Sequence, residues 1–218
     1  MAARYDLIVF DWDGTIMDST GLIAECIQLA ARDLNLPVPS VESAKSIIGL
    51  GIHDSVKRLF PQLTPEGQAQ YALTYRQHYV DRDHEAPLYA GIPELLAGLA
   101  RPERFLAVAT GKPRAGLERA FIHSGLKPHF HFSRCADEGF AKPHPDMLHK
   151  LMEFTAVGPD RTLMIGDTTH DLDLAHNAGV EAVAVTYGAH PRDSLEQREA
   201  VAVVDTVDEL TTWLTKNA

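Results

Sequence analysis

Apolar and polar positions divide the chain into short continuous apolar runs and longer segments with helical spacing. The runs are continuous rather than alternating, which is typical of strands buried on both faces of a parallel sheet. They lie at 7–10, 105–110, 130–136, 162–166, 181–186 and 201–204. Between them, apolar residues recur three and four positions apart, around Leu117, Leu148, Leu172 and Leu210. This alternation predicts a doubly wound, Rossmann-like α/β core built on a parallel sheet.

The alternation of strand and helix patterns is interrupted after the first apolar run, where about 70 residues show no convincing strand. Helical spacing covers 19–34, 41–48, 52–60 and 65–83, with Ser40 and Thr64 as expected N-caps. The pattern therefore predicts a core of 1–16 and 87–218 and an all-helical cap of 17–86. Because the chain leaves the sheet at its carboxyl edge, where such sheets bind ligands, we expect the cap to lie over an active site.

Composition and charge exclude some classes of protein. The chain has 218 residues, of which 45% are apolar and 23% charged, as in ordinary globular proteins. No apolar stretch is long enough to span a membrane or to form a signal-peptide core. Cys26 and Cys135 match no metal spacing, so we expect reduced thiols and a cytoplasmic location. The net charge of −10 argues against nucleic-acid binding.

Two aspartates, Asp11 and Asp13, directly follow the first apolar run. In extended chain, residues i and i+2 point the same way, so both carboxylates can face one site. Like charges repel, and burial makes each of them costlier. We expect a metal ion or a cationic side chain to offset the two negative charges. An Asp-Gly turn without function is the alternative reading of this stretch.

Further polar groups stand at matching places along the chain. Thr110 ends the second apolar run, and Asp167 directly follows the run at 162–166. Lys142 opens KPHPD before a helical segment, and Asp171 comes four residues after Asp167. Taken singly, these residues could be helix caps or solvated loop residues. Because parallel strands end at the same edge of a sheet, we expect them to meet Asp11 and Asp13 in one site.

Together these residues resemble the haloacid dehalogenase-like hydrolase superfamily. Residues 11–19 read DxDGTxxDS, Thr110 stands after an apolar strand, Lys142 lies in a KPxP context, and 166–171 read GDxxxD. The helical insert and the segments IIGLGIHDSVKRLFP and VTYGAH are similar to the phosphoglycolate phosphatase-like branch. The resemblance implies a phosphatase that acts on a small phosphorylated metabolite.

The resemblance also implies a role for each matching residue. Asp11 is the expected nucleophile, which forms an aspartyl phosphate, and Asp13 the expected acid and base. Mg²⁺ is the expected cofactor, held by Asp11, the backbone carbonyl of Asp13 and Asp167, with Asp171 bound directly or in the outer shell. The residues expected to hold the phosphoryl group are Gly14, Thr15, Thr110, Gly111, Lys112 and Lys142. In the cap, His53, Lys57 and Arg58 are the polar residues expected to reach the substrate.

Several alternatives stay open. A β-phosphoglucomutase-like phosphomutase would share Asp11 and Asp13, but the cap segment IIGLGIHDSV has no Arg for a second phosphate. We therefore expect hydrolysis, with phosphoglycolate as the first guess. A non-enzymatic receiver domain would be about half this length, and a nucleotide-binding domain would need a GxGxxG loop after the first strand. His129 and His131 lack partners for a zinc site, and His170 is expected in an exposed loop. The oligomeric state is not predicted.

Overall fold

The structure is a computed structural model that describes residues 4–218. Its sheet contains β1 (Leu7–Phe10), β2 (Phe105–Thr110), β3 (Phe132–Cys135), β4 (Thr162–Gly166), β5 (Glu181–Val185) and β6 (Ala202–Val204). The strand order is β3-β2-β1-β4-β5-β6, and every neighbouring pair is parallel. The predicted doubly wound, Rossmann-like fold is confirmed. The order reverses between β1 and β4, so the topological switch point lies there.

Both faces of the sheet are covered, which explains the continuous apolar runs. Ile8 and Phe10 pack into one cluster, and Leu7 and Val9 pack into another on the opposite face. Trp12 extends the first cluster, where its ring lies 5.1 Å from Phe121 and meets it edge-on. Trp12 therefore serves packing rather than the polar edge of the sheet.

Ten α-helices surround or follow the strands in residues 4–218. They are α1 (Thr20–Asp33), α2 (Val41–Lys45), α3 (Ile52–Leu59), α4 (Pro65–Val80), α5 (Ile92–Leu99), α6 (Arg114–Ser124), α7 (Asp146–Thr155), α8 (Thr169–Asn177), α9 (Arg192–Leu195) and α10 (Val207–Asn217). Short 3₁₀ helices lie at Asp83–Glu85, Lys127–His129 and Pro159–Arg161. Helices α5 and α9 were not predicted, because one is short and Gly-containing and the other has a single turn. None of the helices within 4–218 has the length and apolar character needed to cross a membrane.

The segment between β1 and α5 is helical, as predicted, and we call residues 20–85 the helical insert. Helix α1 packs against α2 and α4 through Ile23, Ile27 and Tyr79. The side chains of Ser40 and Thr64 accept hydrogen bonds from Ser43 N and Gly67 N, so both predicted N-caps are confirmed.

One predicted helix of the insert is shorter than expected. Helix α2 ends at Lys45 rather than 48, and the chain continues as a tight turn over residues 46–51, which we call the 46–51 turn. Gly49 adopts a φ of 93°, a left-handed conformation that suits glycine. Ile47 and Ile48 are buried against α1 in this turn. Their burial therefore satisfies the apolar pattern without a longer helix.

Candidate active site

The site forms at the switch point of the sheet. Asp11 directly follows β1, and its backbone N–H donates to Ile165 O in β4 at 2.8 Å. Asp167 directly follows β4, so the two carboxylates stand side by side at the carboxyl edge. Both are buried. The register of two neighbouring parallel strands thus brings together residues that are far apart in sequence.

Lys142 joins two of the carboxylates. Its Nζ lies 2.6 Å from Asp11 Oδ1 and 2.6 Å from Asp171 Oδ1, and the side chain is fully buried. Burial acts to lower the pKa of Lys142, but Asp11 and Asp171 outweigh it and hold that pKa above its ordinary value. Lys142 is therefore positively charged at the centre of the site. It is the kind of cationic side chain that the sequence led us to expect beside the aspartates.

One lysine does not neutralise three carboxylates. Oxygens of Asp11, Asp167 and Asp171 lie within 4.8 Å of one another. Burial raises the pKa of Asp11 to about 7 against the opposing effect of Lys142, and Asp171 adds to the rise. Burial and the charges of Asp11 and Asp171 likewise raise the pKa of Asp167 well above its ordinary value. The cluster has an excess of negative charge that a cation would relieve.

The residues fit Mg²⁺. The cluster offers carboxylate oxygens, the ligands that this ion prefers. Within residues 4–218, Asp11 Oδ2 is buried and has no hydrogen-bond partner. A buried anionic oxygen of this kind is costly unless a cation or donor faces it. The cluster Asp11, Asp167 and Asp171 is therefore a candidate metal centre.

Asp167 is held in place by its neighbours. Its Oδ1 accepts from Thr15 Oγ1 at 2.8 Å, and its Oδ2 accepts from Ala189 N at 2.7 Å. A Cβ on Gly14, whose φ is 88°, would lie 2.1 Å from Asp167 Oδ2, and one on Gly188 would lie 2.2 Å from it. Gly14 and Thr15 thus accommodate and orient Asp167, while their predicted contact with a phosphoryl group stays a prediction.

Asp171 is tied into a capping box. Its Oδ2 accepts from Thr168 N at 3.0 Å and from Thr168 Oγ1 at 2.7 Å, at the start of α8. Its Oδ1 accepts from Lys142. Asp171 therefore caps helix α8, which was one reading of the sequence, and it also lies in the site beside Lys142. The bond from Lys142 shows that Asp171 helps to orient this lysine, while its part in binding an ion, directly or in the outer shell, stays a prediction.

Asp13 belongs to a second network that links the sheet to the helical insert. Its Oδ1 accepts from Ser19 Oγ at 2.6 Å and from Lys112 Nζ at 3.0 Å. Lys112 Nζ also donates to the hydroxyl of Tyr79 in α4 at 2.7 Å. The contact between Tyr79 and Lys112 was not predicted. Tyr79 lies on the apolar face of its helix, and nothing in the local sequence indicates that this face meets Lys112. The predicted contact of Lys112 with phosphate stays a prediction beside these two observed contacts.

The loop after β2 fits closely against the insert. Thr110 is buried, and its Oγ1 accepts from Lys112 N at 3.2 Å, which closes the loop. A Cβ on Gly111 would lie 2.6 Å from Gly49 O and 2.8 Å from Leu50 O. Gly111 therefore allows the 46–51 turn to rest directly on this loop, a role that the sequence did not indicate.

The same turn contacts the loop after β4. His170 Nε2 lies 3.2 Å from Ser46 O, and since a carbonyl only accepts, Nε2 carries the hydrogen. Burial lowers the pKa of His170, which keeps the ring neutral near pH 7. His170 is only 6% exposed, so its expected place in an exposed loop is wrong. The insert covers it.

A cavity of about 780 Å³ opens between the sheet edge and the insert. Asp11, Asp13, Thr110 and Lys112 line it from the sheet side. Of the three cap residues expected to reach the substrate, His53 lines the cavity. Lys57 and Arg58 are exposed, and in the described part of the chain neither is among the residues that line it. Their role stays a prediction.

Residues 8–185 match the haloacid dehalogenase-like hydrolase family. The chain belongs to this family. It is therefore a hydrolase, and the predicted enzyme class is confirmed. The match begins within β1 and ends with β5, and it includes the charged residues of the site, Asp11, Asp13, Lys112, Lys142, Asp167 and Asp171.

Individual proteins are similar to this chain over nearly its whole length. A protein named probable phosphatase IndB from Dickeya dadantii (strain 3937) is 34% identical over 94% of this chain and 91% of its own length. A protein named tyrosine-protein kinase PtkA from Mycobacterium tuberculosis (strain ATCC 25618 / H37Rv) is 31% identical over 94% of this chain and 70% of its own. The structure of a predicted phosphoglycolate phosphatase from Haemophilus somnus 129pt is 25% identical, with a TM-score of 0.87 over 98% of this chain and 99% of that one.

Proposed function

We propose that the protein is a Mg²⁺-dependent phosphatase that hydrolyses a small organic phosphate monoester through an aspartyl phosphate on Asp11. The observation that carries this proposal is the state of the Asp11 carboxylate at the cavity floor. Lys142 holds one oxygen, while the other is buried with no hydrogen-bond partner within residues 4–218. A relative and a structural neighbour named as phosphatases agree with this function.

In the first step, the Asp11 carboxylate attacks phosphorus, and the bond from phosphorus to the alcohol oxygen breaks. Asp13 gives its proton to that oxygen, so the alcohol leaves neutral. Covalent catalysis divides one difficult displacement into two easier ones. Lys142 offsets the negative charge that would otherwise oppose attack by an anion.

In the second step, water attacks the phosphorus of the aspartyl phosphate and Asp13 takes a proton from it. The Asp11–phosphorus bond breaks, which restores the carboxylate and releases inorganic phosphate. Both bonds that fix Asp13, from Ser19 and Lys112, go to Oδ1. This arrangement orients the carboxyl group and directs Oδ2 to proton transfer.

The metal ion belongs to the same proposal. Asp11, the backbone carbonyl of Asp13 and Asp167 would hold Mg²⁺, and Asp171 would act through Lys142. When bound, the ion supplies positive charge to the phosphoryl oxygens during displacement. Thr15 and Ala189 N keep Asp167 oriented towards that position.

We also propose that residues 17–86 act as a cap over a core of 1–16 and 87–218. The contacts of the 46–51 turn with Gly111 and His170 support this division. A cytoplasmic location is part of the same proposal, supported by Cys26 and Cys135, which are buried free thiols.

Release of phosphate from p-nitrophenyl phosphate tests the function, with Mg²⁺ and with EDTA. Asp11→Asn should lower turnover by about a thousandfold or more, because an amide is a poor nucleophile. Asp160→Asn is the matched control, since Asp160 is exposed at the opposite end of β4. Turnover that persists in EDTA, or in Asp11→Asn, would contradict the proposal.

A further inference from the structure

The cavity above Asp11 is much larger than a phosphoryl group needs. Its volume of about 780 Å³ is in the range of pockets that enclose drug-sized molecules. The charged residues of the core that line it are Asp11, Asp13, Lys112, Arg119 and Asp137. The remaining walls come mainly from the helical insert, and they determine which alcohol can be bound beside the phosphate.

The buried walls from the insert are apolar. They include Ile23, Ile27, Ile47, Val56, Tyr71 and Tyr79. Three buried hydroxyls among these walls already have protein partners. Tyr71 donates to Ile27 O at 2.7 Å, Ser55 donates to Ile47 O at 3.3 Å, and Tyr79 accepts from Lys112 at 2.7 Å.

The rim of the cavity is apolar as well. Leu73 in α4 is 56% exposed and Phe140 in the loop before α7 is 64% exposed, and both line the cavity. These two side chains extend the apolar lining to the mouth of the cavity, where a bound ligand can cover them. The charged lining residues of the insert, Asp54 and Arg76, are exposed, so they belong to its solvent side.

We propose that the substrate is a phosphate monoester whose alcohol carries an apolar group at least as large as an aromatic ring. A hydrophilic alcohol, such as glycolate or a sugar, would lose water against these walls and gain few hydrogen bonds in return. An apolar group gains by leaving water. Tyr75, half-buried and stacked on Tyr79 at 5.8 Å, adds an aromatic wall. This inference rests on the proposed phosphatase function.

A matched pair of substrates tests the inference. Ethyl phosphate and 2-phenylethyl phosphate both release primary alcohols, so a difference in rate reports binding of the phenyl group. We expect kcat/KM to be at least about tenfold higher for 2-phenylethyl phosphate, equivalent to about 1.4 kcal/mol. If ethyl phosphate or phosphoglycolate is hydrolysed as efficiently, the phosphatase function stands and the apolar preference is wrong.

Matched variants locate the preference. Phe140→Ser should reduce kcat/KM more for 2-phenylethyl phosphate than for ethyl phosphate. Phe154→Ser is the control, since Phe154 is 50% exposed in α7 and, within residues 4–218, is not part of the cavity lining. Leu73→Ser with Ile122→Ser forms a second pair of exposed helical positions. Equal effects within both pairs would overturn the assignment of this cavity.

Binding of phosphonates separates this inference from the reaction. In 3-phenylpropylphosphonate and propylphosphonate a carbon replaces the ester oxygen, so neither can be cleaved. Calorimetry with Mg²⁺ should show at least about tenfold tighter binding of the phenyl compound and a more negative heat-capacity change. Equal affinities would overturn the inference. If that preference holds but none of the phosphate esters is hydrolysed, the proposed function fails while the apolar site remains.

Discussion

Lys142 is the residue on which the charge balance of the site depends. It is fully buried and bonds to Asp11 and Asp171, which would otherwise face each other without a cation. Removing one member of a buried ion pair leaves the partner charge uncompensated and typically costs about 3–5 kcal/mol. The same residue therefore stabilises the fold and prepares the site for an anionic substrate.

Lys142→Met should lower the melting temperature and abolish phosphate release. The ammonium is lost, while the two carboxylates stay buried. Thermal unfolding of the variant and the native protein at neutral pH, in EDTA, measures the effect. Lys150→Met is the control, because Lys150 is partly exposed and pairs with Glu153 in the same helix. Equal melting temperatures for all three proteins would contradict this assignment.

The two aspartates that flank the site differ in their expected roles, so Asp13→Asn and Asp167→Asn should act differently. Asp13→Asn should slow turnover by roughly two to four decades, the range for a lost acid–base group, with little change in the Mg²⁺ requirement. Asp167→Asn should raise the Mg²⁺ concentration for half-maximal activity by about tenfold or more. Mg²⁺ titrations of activity distinguish them, and the reverse pattern would exchange the two assignments.

At the scale of elements, the main question is how the helical insert rests on the sheet. The 46–51 turn contacts the loops after β2 and β4, through Gly111 and His170. Tyr79 adds a third contact, through Lys112, to the same network as Asp13. The insert therefore reaches Asp13, the expected acid and base, through Lys112, and we expect its position to affect turnover.

Gly111→Ala should disturb this contact without unfolding the core. The added Cβ would lie 2.6 Å from Gly49 O, so the turn must move away from the loop after β2. We expect kcat to fall by about tenfold or more, because small displacements at a reacting centre are costly. Gly98→Ala in α5 is the control, since within residues 4–218 no atom outside its own helix turn lies within 4 Å of the added Cβ. Unchanged kcat in Gly111→Ala would show that the contact between the 46–51 turn and the loop after β2 does not limit turnover.

At the scale of the whole molecule, the buried carboxylates link stability to pH and to metal. The pKa of Asp11 is raised from its ordinary value of 3.8 to about 7. Between these values the folded protein binds more protons than the unfolded chain. Without metal, this group therefore makes the fold less stable as pH rises through that window. A metal ion binds deprotonated carboxylates. Its binding to the folded protein therefore becomes more favourable as the pH rises over the same range.

The increase in melting temperature on adding Mg²⁺ should therefore grow with pH. We expect a small increase near about pH 5 and a larger one near about pH 8, where Asp11 is ionised without needing to lose a proton. Differential scanning calorimetry with EDTA and with saturating Mg²⁺ measures the difference. Ca²⁺-free buffers and Asp11→Asn serve as controls. The same increase at both pH values would contradict the pKa assignment of Asp11.

The sequence by itself determined the sheet and the charged centre of the site. Continuous apolar runs indicate burial on both faces, which a parallel sheet covered by helices provides. The residues at the carboxyl ends of those runs, Asp11, Thr110 and Asp167, must then meet at one edge, because parallel strands all end there. Local spacing also indicated the N-caps at Ser40 and Thr64. These properties depend on contacts near in sequence or on strand direction alone.

Only the tertiary structure decided how the insert and the sheet meet. Tyr79 and Lys112 are 33 residues apart, and His170 and Ser46 are 124 apart. No periodicity relates such positions, since their contact depends on how separately formed helices dock onto the strand ends. The apolar wall of the cavity arises in the same way, from Ile23, Ile47 and Val56, which in sequence are ordinary core residues of amphipathic helices. Docking leaves part of that apolar surface facing Asp11, and the size of the enclosed space is set by the assembled elements together.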